Sequence, residues 1–262
     1  MLGAFYLGLL RWDLITEPRF AGLDNFQRMA GDARFWTALR NTAYFAAGSV
    51  PLAVAGGLGL ALLMNQPLKG IAMFRGAYYI PYVTSWVAVA LVWTWIFDRD
   101  YGLVNFFLRG LGVGAPGWLS DPAWAMPALI ITAAWKWMGF YAVILLAGLQ
   151  GIPPALHEAA AIDGAGAWAR FRHVTLPLLS PATFFVLVTA TINALNVFDP
   201  VVVMTGGGPN DATQTLMKYI VDTAFQGFLI GYANAIAVVA FAIVLAITLG
   251  QNWLQRVWVH YE

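Results

Sequence analysis

Cysteine is absent from the 262-residue chain, and histidine occurs only three times, at His157, His173 and His260. Disulfides, thiol catalysis and cysteine-ligated metals are thereby excluded, and the histidines show no ligand spacing. Charge is almost as scarce. Asp, Glu, Lys and Arg make up 10% of the residues, against about 25% in an average soluble domain, so a fully water-covered surface cannot be built. The net charge of +1 names no partner. No G-x-x-x-x-G-K-[ST] phosphate loop is present; Gly206-Gly207-Gly208-Pro209 lacks the lysine, and reads either as a tight turn or as a contact surface. A cleavable leader with a basic start is also not recognisable.

What the chain does have is apolar length. Hydrophobic residues reach 60% and the mean hydropathy is +0.69. No charged residue occurs between Arg40 and Lys69, Arg75 and Asp98, Lys136 and Glu158, Arg172 and Asp199, or Asp222 and Arg256. Each gap is at least as long as the ~20 helical residues that cross a hydrocarbon core. The runs are continuously apolar rather than alternating, which favours helices over barrel strands. An all-α, polytopic membrane protein follows.

Spans are expected near 38–64, 76–97, 124–149, 178–203 and 229–254. Trp36, Tyr78, Tyr79, Trp93, Trp95, Trp124, Trp253 and Trp258 cluster at several ends, as interfacial anchors do. Pro51, Pro81, Pro127 and Pro181 should kink their helices. Gly56-Gly57-Leu58-Gly59 offers a small-residue face for close packing. Met1–Leu10 is apolar, but about ten residues make only ~15 Å of helix; it reads as the end of a truncated first span rather than as a short interfacial helix. Residues 11–36 suit a surface segment, with further excursions at 98–122 and 204–222. Lys and Arg counts do not settle orientation: Lys69, Arg75, Arg170, Arg172 and Arg256 fall on one face, and Arg11, Arg19, Arg28, Arg34, Arg99, Arg109 and Lys218 on the other.

The polar stretch Pro154–Ala165 lies between two spans. Pro153 and Pro154 suit a first helical turn, Leu156, Ala159, Ala160 and Asp163 share a face, and Gly164 and Gly166 stop the helix. Small alanines would let a partner's cleft close around the backbone, with Glu158 offering one charge. An ordinary helical hairpin loop accounts for the same residues.

Glu158-Ala159-Ala160-Ala161-Ile162-Asp163-Gly164-Ala165, followed by Phe171, Thr175-Leu176-Pro177-Leu178-Leu179 and Pro181, resembles the EAA loop of permease subunits from binding-protein-dependent ABC importers. Gly22-Leu23-Asp24-Asn25-Phe26, Asn41-Thr42, Leu68-Lys69-Gly70 with Phe74-Arg75, Ala147–Pro153 and Met204–Pro209 are similar to the carbohydrate and glycerol-3-phosphate branch, typified by the maltose transporter. The similarity runs in order over essentially the whole chain; only the front end, where the family has a complete first helix, departs from it. The resemblance implies a type I importer permease bundle with five full transmembrane helices plus a truncated first one, forming a single domain over 1–262 with a cytoplasmic coupling loop at 150–181. It implies a heterodimer with a second permease, two ATPase subunits that supply ATP and Mg chemistry (this chain holding no cofactor), and an extracytoplasmic solute-binding protein facing 98–122 and 204–222. It implies a multi-pass protein of a bacterial or archaeal inner membrane. By the same resemblance Glu158 pairs with an ATPase arginine, Ala159 and Ala160 pack in its cleft, Gly164 makes the turn, and Asp163, Arg172 and Pro177 belong to the coupling surface.

Substrate contacts rest on the residues alone. Lys136 lies mid-span between Trp135 and Trp137 and reads as a pathway group or as a snorkelling cation. Asn193, Asn196 and Asp199 recur at three-residue spacing beside Phe198, which suits sugar hydroxyls and equally suits interhelical bonding. Tyr232 and Asn234 are weaker candidates. The chemistry on offer is transport without catalysis. A stand-alone secondary transporter or channel would show midplane ionisable groups and internal repeats, and an intramembrane enzyme would place a nucleophile and base inside a span; only Lys136 approaches either pattern.

Overall fold

The computed structural model describes residues 2–66 and 70–258, with the side chains of Ala72 and 256–258 left aside. The expected motif residues Leu68 and Lys69, and the side chains of Arg256 and Trp258, therefore lie outside the described residues. The helices are α1 (Leu2–Gly8), α2 (Asp24–Ala30), α3 (Ala33–Met64), α4 (Ile71–Val83), α5 (Trp86–Ile96), α6 (Leu103–Gly110), α7 (Pro122–Gln150), α8 (Pro154–Ile162), α9 (Ala167–Arg170), α10 (Leu176–Leu178), α11 (Ser180–Leu195), α12 (Leu216–Val221) and α13 (Ile230–Trp258). Wide π-type turns at Phe171–Thr175, Val201–Thr205 and Asp222–Gln226 follow α9, precede α12 and follow α12. A two-stranded antiparallel ladder, β1 (Leu10–Arg11) with β2 (Arg19–Phe20), pairs Leu10 with Phe20 and is an exception to the all-α expectation.

Among the described residues, α3, α7 and α13 are each long and apolar enough to cross a bilayer unbroken. The other two expected spans are broken. The run at 76–97 divides at Thr84–Ser85 into α4 and α5, and α9–α10 meets α11 at a 66° bend. Within the run expected at 178–203, α11 stops at Leu195 and helical turns resume at Asp199–Pro200, with Pro200 in the first turn of that second stretch, where its missing N–H costs nothing. Thr215 Oγ1 donates to the carbonyl of Val197 within the break, at 3.2 Å. Pro51 and Pro127 sit inside α3 and α7 without ending them.

Contacts group the residues into two compact units. The first comprises 1–48, 86–130 and 193–247. Its core joins Met29, Phe35, Ala38, Leu216, Tyr219, Tyr232 and Ile236. The Asn41-Thr42 pair stitches α3 to the loop before α12: Asn41 Nδ2 donates to the carbonyls of Asp211 (2.8 Å) and Gln214 (3.0 Å), and Thr42 Oγ1 accepts the Leu216 N–H at 2.8 Å. The glycine run in that loop is a turn, with Gly206 and Gly207 at φ 61° and 94°.

The second unit comprises 49–85, 131–192 and 248–262. Here α7 is approached closely from two sides. A Cβ on Gly57 would come within 3.0 Å of the Tyr141 Cβ, as the small-residue face requires, whereas Gly59 meets nothing. A Cβ on Gly139 would collide with the Tyr78 carbonyl oxygen of α4. Three residues earlier on the same face of α7, Lys136 is 3% exposed, and its Nζ donates to the carbonyls of Pro81 (2.7 Å), Tyr82 (3.0 Å) and Thr84 (2.6 Å).

Candidate functional site

The segment between α7 and α11 holds the residues singled out for coupling. Pro153 caps α8 and Pro154 occupies its first turn, where a missing N–H costs nothing. At the far end Gly164 adopts φ +79°, Ala165 N–H reaches the Ala160 carbonyl (2.9 Å) and Gly164 N–H the Ala161 carbonyl (3.1 Å). This paired, left-handed stop closes the helix sharply after Ile162. No residue of α8 is buried. Glu158 and Ala159 are exposed and Ala160 half-buried, and Asp163 and Gly164 lie open beyond them. Among the described residues, no hydrogen bond or ion pair engages the side chains of Glu158, Asp163 or Arg172.

Apolar groups flank this helix in the open. Ile162 is 87% and Trp168 69% exposed, with Trp168 tilted against Phe171 at 5.5 Å between ring centres. From Ala167 the chain runs helically through the π-type turn to Leu178. Pro177 is half-buried, and its carbonyl accepts the Ser180 hydroxyl. The result is a rigid, short-sided rod standing on a hydrogen-bonded base.

The polar candidates of the spans do not form one row. Because α11 stops at Leu195, Asn193 is helical while Asn196 and Asp199 are not on a continuing face. Asn196 lines a cavity of 350 Å³ with Thr42, Leu195, Met217 and Phe241, an almost wholly apolar enclosure. Asn234 Nδ2 bonds within its own helix, to the Ile230 carbonyl at 2.9 Å. Lys136 is held by backbone: its Nζ donates to three carbonyls at the end of α4 and just beyond it.

Tyr232 belongs elsewhere, with residues that pattern reasoning passed over. Its hydroxyl and that of Tyr219 both donate to Asp32 Oδ2, while Asp32 Oδ1 accepts the N–H groups of Arg34 (2.9 Å) and Phe35 (3.4 Å). One carboxylate thus caps α3 and ties it to α12 and α13. Burial alone would raise the Asp32 carboxyl, but these four hydrogen bonds outweigh it and hold it below the usual carboxylate range. Burial and the facing carboxylate push the Tyr219 hydroxyl up. Arg28 lies over the Tyr232 ring at 4.5 Å, and Arg34 pairs with Asp211 at 3.3 Å. Arg28, Asp32, Arg34, Tyr219 and Tyr232, with Asp222 and Gln226, line an open cavity of 640 Å³ whose walls are part polar and part apolar. The Asp just before an apolar helical run was the available signal. Among the described residues no group of His, Asp and Glu gathers as a metal site.

Comparison with known proteins bears on the whole chain. Residues 35–259 match the family described as binding-protein-dependent transport system inner membrane component. The chain is 41% identical over 229 residues to the sulfoquinovosyl glycerol transport system permease protein SmoG of Agrobacterium fabrum, covering 87% of this chain and 74% of that one. It is 38% identical over 253 residues to the trehalose/maltose transport system permease protein MalF of Thermococcus litoralis, covering 95% and 84%. Among solved structures, a bacterial alginate ABC transporter in complex with an alginate pentasaccharide-bound periplasmic protein has a chain that superposes with a TM-score of 0.81 at 27% identity, covering 90% of this chain and 83% of that one. The family match over residues 35–259, the relatives aligned over most of the length and the apolar helices show that this chain is a multi-pass membrane protein belonging to the family of inner-membrane permease components of binding-protein-dependent ABC transport systems, a transport subunit and not itself an enzyme.

Proposed function

We propose that the chain is one of two permease subunits of an ATP-driven importer for a sugar or a related polyol phosphate, and that α8 is where force enters it. In this reading a second, related permease completes the translocation path. Two ATPase subunits carry ATP and Mg, and a solute-binding protein delivers cargo from outside. Relatives named for trehalose and maltose transport and for sulfoquinovosyl glycerol transport, and a structural neighbour that handles alginate, support a carbohydrate as the solute.

The observation that carries the coupling role is the exposure of α8 and its flanks. A helix with no buried residue, bordered by an 87% exposed Ile162 and a 69% exposed Trp168, is incomplete as a water-facing surface. Small side chains at Ala159 and Ala160 leave room for a cleft to close on the helix, and the Gly164 stop keeps it short. Glu158 then reaches an arginine of the ATPase, Asp163, Arg172 and Pro177 complete the contact, and closure of the ATPase pair swings α8. Residues 150–181 are cytoplasmic in this arrangement, and 98–122 and 204–222 lie outside.

Reversing the charge tests this directly. In the reconstituted complex, Glu158→Lys should hydrolyse ATP with little or no solute uptake while inserting normally into the membrane. Uptake at the unaltered rate would remove Glu158 from the coupling contact.

A further inference from the structure

We propose that α6 is an interfacial anchor whose aromatic face lies in the lipid headgroup–acyl boundary between the end of α5 and the start of α7. The polarity of this helix is inside out. Its inward residue is Asn105, fully buried, whose Nδ2 lies 3.1 Å from the carbonyls of both Arg99 and Pro116 and whose Oδ1 accepts the Trp118 indole N–H at 2.9 Å. Its outward residues are apolar: Phe106 is 69% and Phe107 65% exposed, with Leu103 and Leu111 also open on either side. A helix on a water-facing surface arranges these the other way round.

Three observations make lipid the occupant. First, the patch is continuous with a membrane-facing one: α6 packs beside α5, whose Leu91, Val92 and Trp95 are exposed within a segment apolar enough to enter a bilayer. Second, its depth is marked. Exposed indoles stand at both flanking ends, Trp95 (57% exposed) in the last turn of α5 and Trp124 (41%) in the first turn of α7, the level at which amphipathic rings sit at a membrane–water boundary. The polar turn beside it is closed from within, with Asp98 accepting the N–H groups of Asp100 and Tyr101, and Arg109 donating to the carbonyls of Arg99 and Asp100. Third, the four outward side chains Leu103, Phe106, Phe107 and Leu111 carry no donor or acceptor themselves, and the polar groups beside them stand at the edge of the patch, where Asp100, Tyr101 and Arg109 line an open cavity with Phe106, Phe107 and Leu111. A protein partner forms about one hydrogen bond per 100–200 Å² of contact, whereas acyl chains require none. The anchor would hold the α5–α7 connection at the membrane surface by burying about 5–10 Å of depth on its apolar side.

The lack of cysteine makes the test simple. Phe107→Cys and, separately, Leu103→Cys carry a nitroxide in the assembled transporter, with partner cysteines replaced, in phosphatidylcholine–phosphatidylglycerol vesicles; Asp100→Cys is the control. Collision with oxygen and with a water-soluble nickel chelate is read by EPR. The expected result is an oxygen-to-nickel ratio several-fold higher at 103 and 107 than at 100. Strong nickel access at 103 and 107 would show a water-facing helix, and exclusion of both reagents would show a protein cover, whether permease or binding protein; either outcome overturns the proposal. The second position keeps the test decisive if one variant assembles poorly.

Discussion

Carbonyls at the end of α4 need donors that the interrupted helix cannot supply. The Ile80 carbonyl is taken by the Thr84 N–H at 3.1 Å and hydroxyl at 2.9 Å, and Lys136 supplies the oxygens of Pro81, Tyr82 and Thr84. A cation at a helix C-terminus also meets the negative end of its dipole. In lipid the alternative to such pairing is an unmet polar group, so Lys136→Met should remove about 1–3 kcal/mol for each carbonyl left bare. Thermal unfolding of the detergent-solubilised complex should fall by several degrees, and an unchanged melting point would return Lys136 to the solute path. Asp32 is the second residue whose chemistry sets a measurable property. Its depressed carboxyl contributes stability that is fully present above the unfolded value near 3.9 and is lost as pH falls through the lower folded value. Protection of the amides at the start of α3, relative to their intrinsic exchange rates, should therefore fall below about pH 4 in the unaltered chain. With Asp32→Asn that protection should already be low at neutral pH and vary little with acid; identical profiles would refute the joint.

At the scale of elements, the left-handed glycine after α8 is the most exposed dependency. Gly164→Ala meets no neighbour but places a Cβ at φ +79°, a strain of about 1–2 kcal/mol. The last turn of α8 should fray, raising exchange at Ala160–Ile162 while the spans are unaffected; full protection there would deny the glycine its role as a stop. This element was readable beforehand because its signals are local: prolines at the start, an alanine face, a glycine at the end. The long apolar runs were readable for the same reason, since length and absence of charge need no tertiary information. The breaks were legible as kinks at Pro81 and Pro181, but the groups that complete them were not. Pro81 announces a kink, yet what makes the interruption at Thr84–Ser85 tolerable is Lys136, 52 residues away from Thr84. The same holds for Asp32, whose cap on α3 is local but whose bonds to Tyr219 and Tyr232 reach across 187 and 200 residues. Asn193, Asn196 and Asp199 show the converse: helical spacing was legible, but α11 stops at Leu195, between Asn193 and Asn196, so the spacing does not form one continuous face.

For the whole molecule, the decisive quantity is how much surface the chain leaves uncovered. Exposed Leu, Phe and Trp side chains on the spans can meet lipid or another permease, but the apolar groups around α8 belong to a stretch carrying Glu158, Asp163, Arg170 and Arg172 and cannot be lipid-embedded without burying those charges. Of these groups around α8, Ile162 is the most exposed, at 87%. Burying such a side chain against a partner contributes about 1.5–3 kcal/mol, which corresponds to roughly a 10- to 100-fold change in affinity. Ile162→Asp should therefore weaken assembly with the ATPase subunits by that order, measured as loss of ATPase co-purification in a salt-independent manner, while the paired permease remains bound. Glu158→Lys should differ in kind, because a charge contact at the rim responds to ionic strength. If both variants retain the ATPase equally well at low and high salt, the rod between α7 and α11 is a connector, and the force must enter the permease elsewhere.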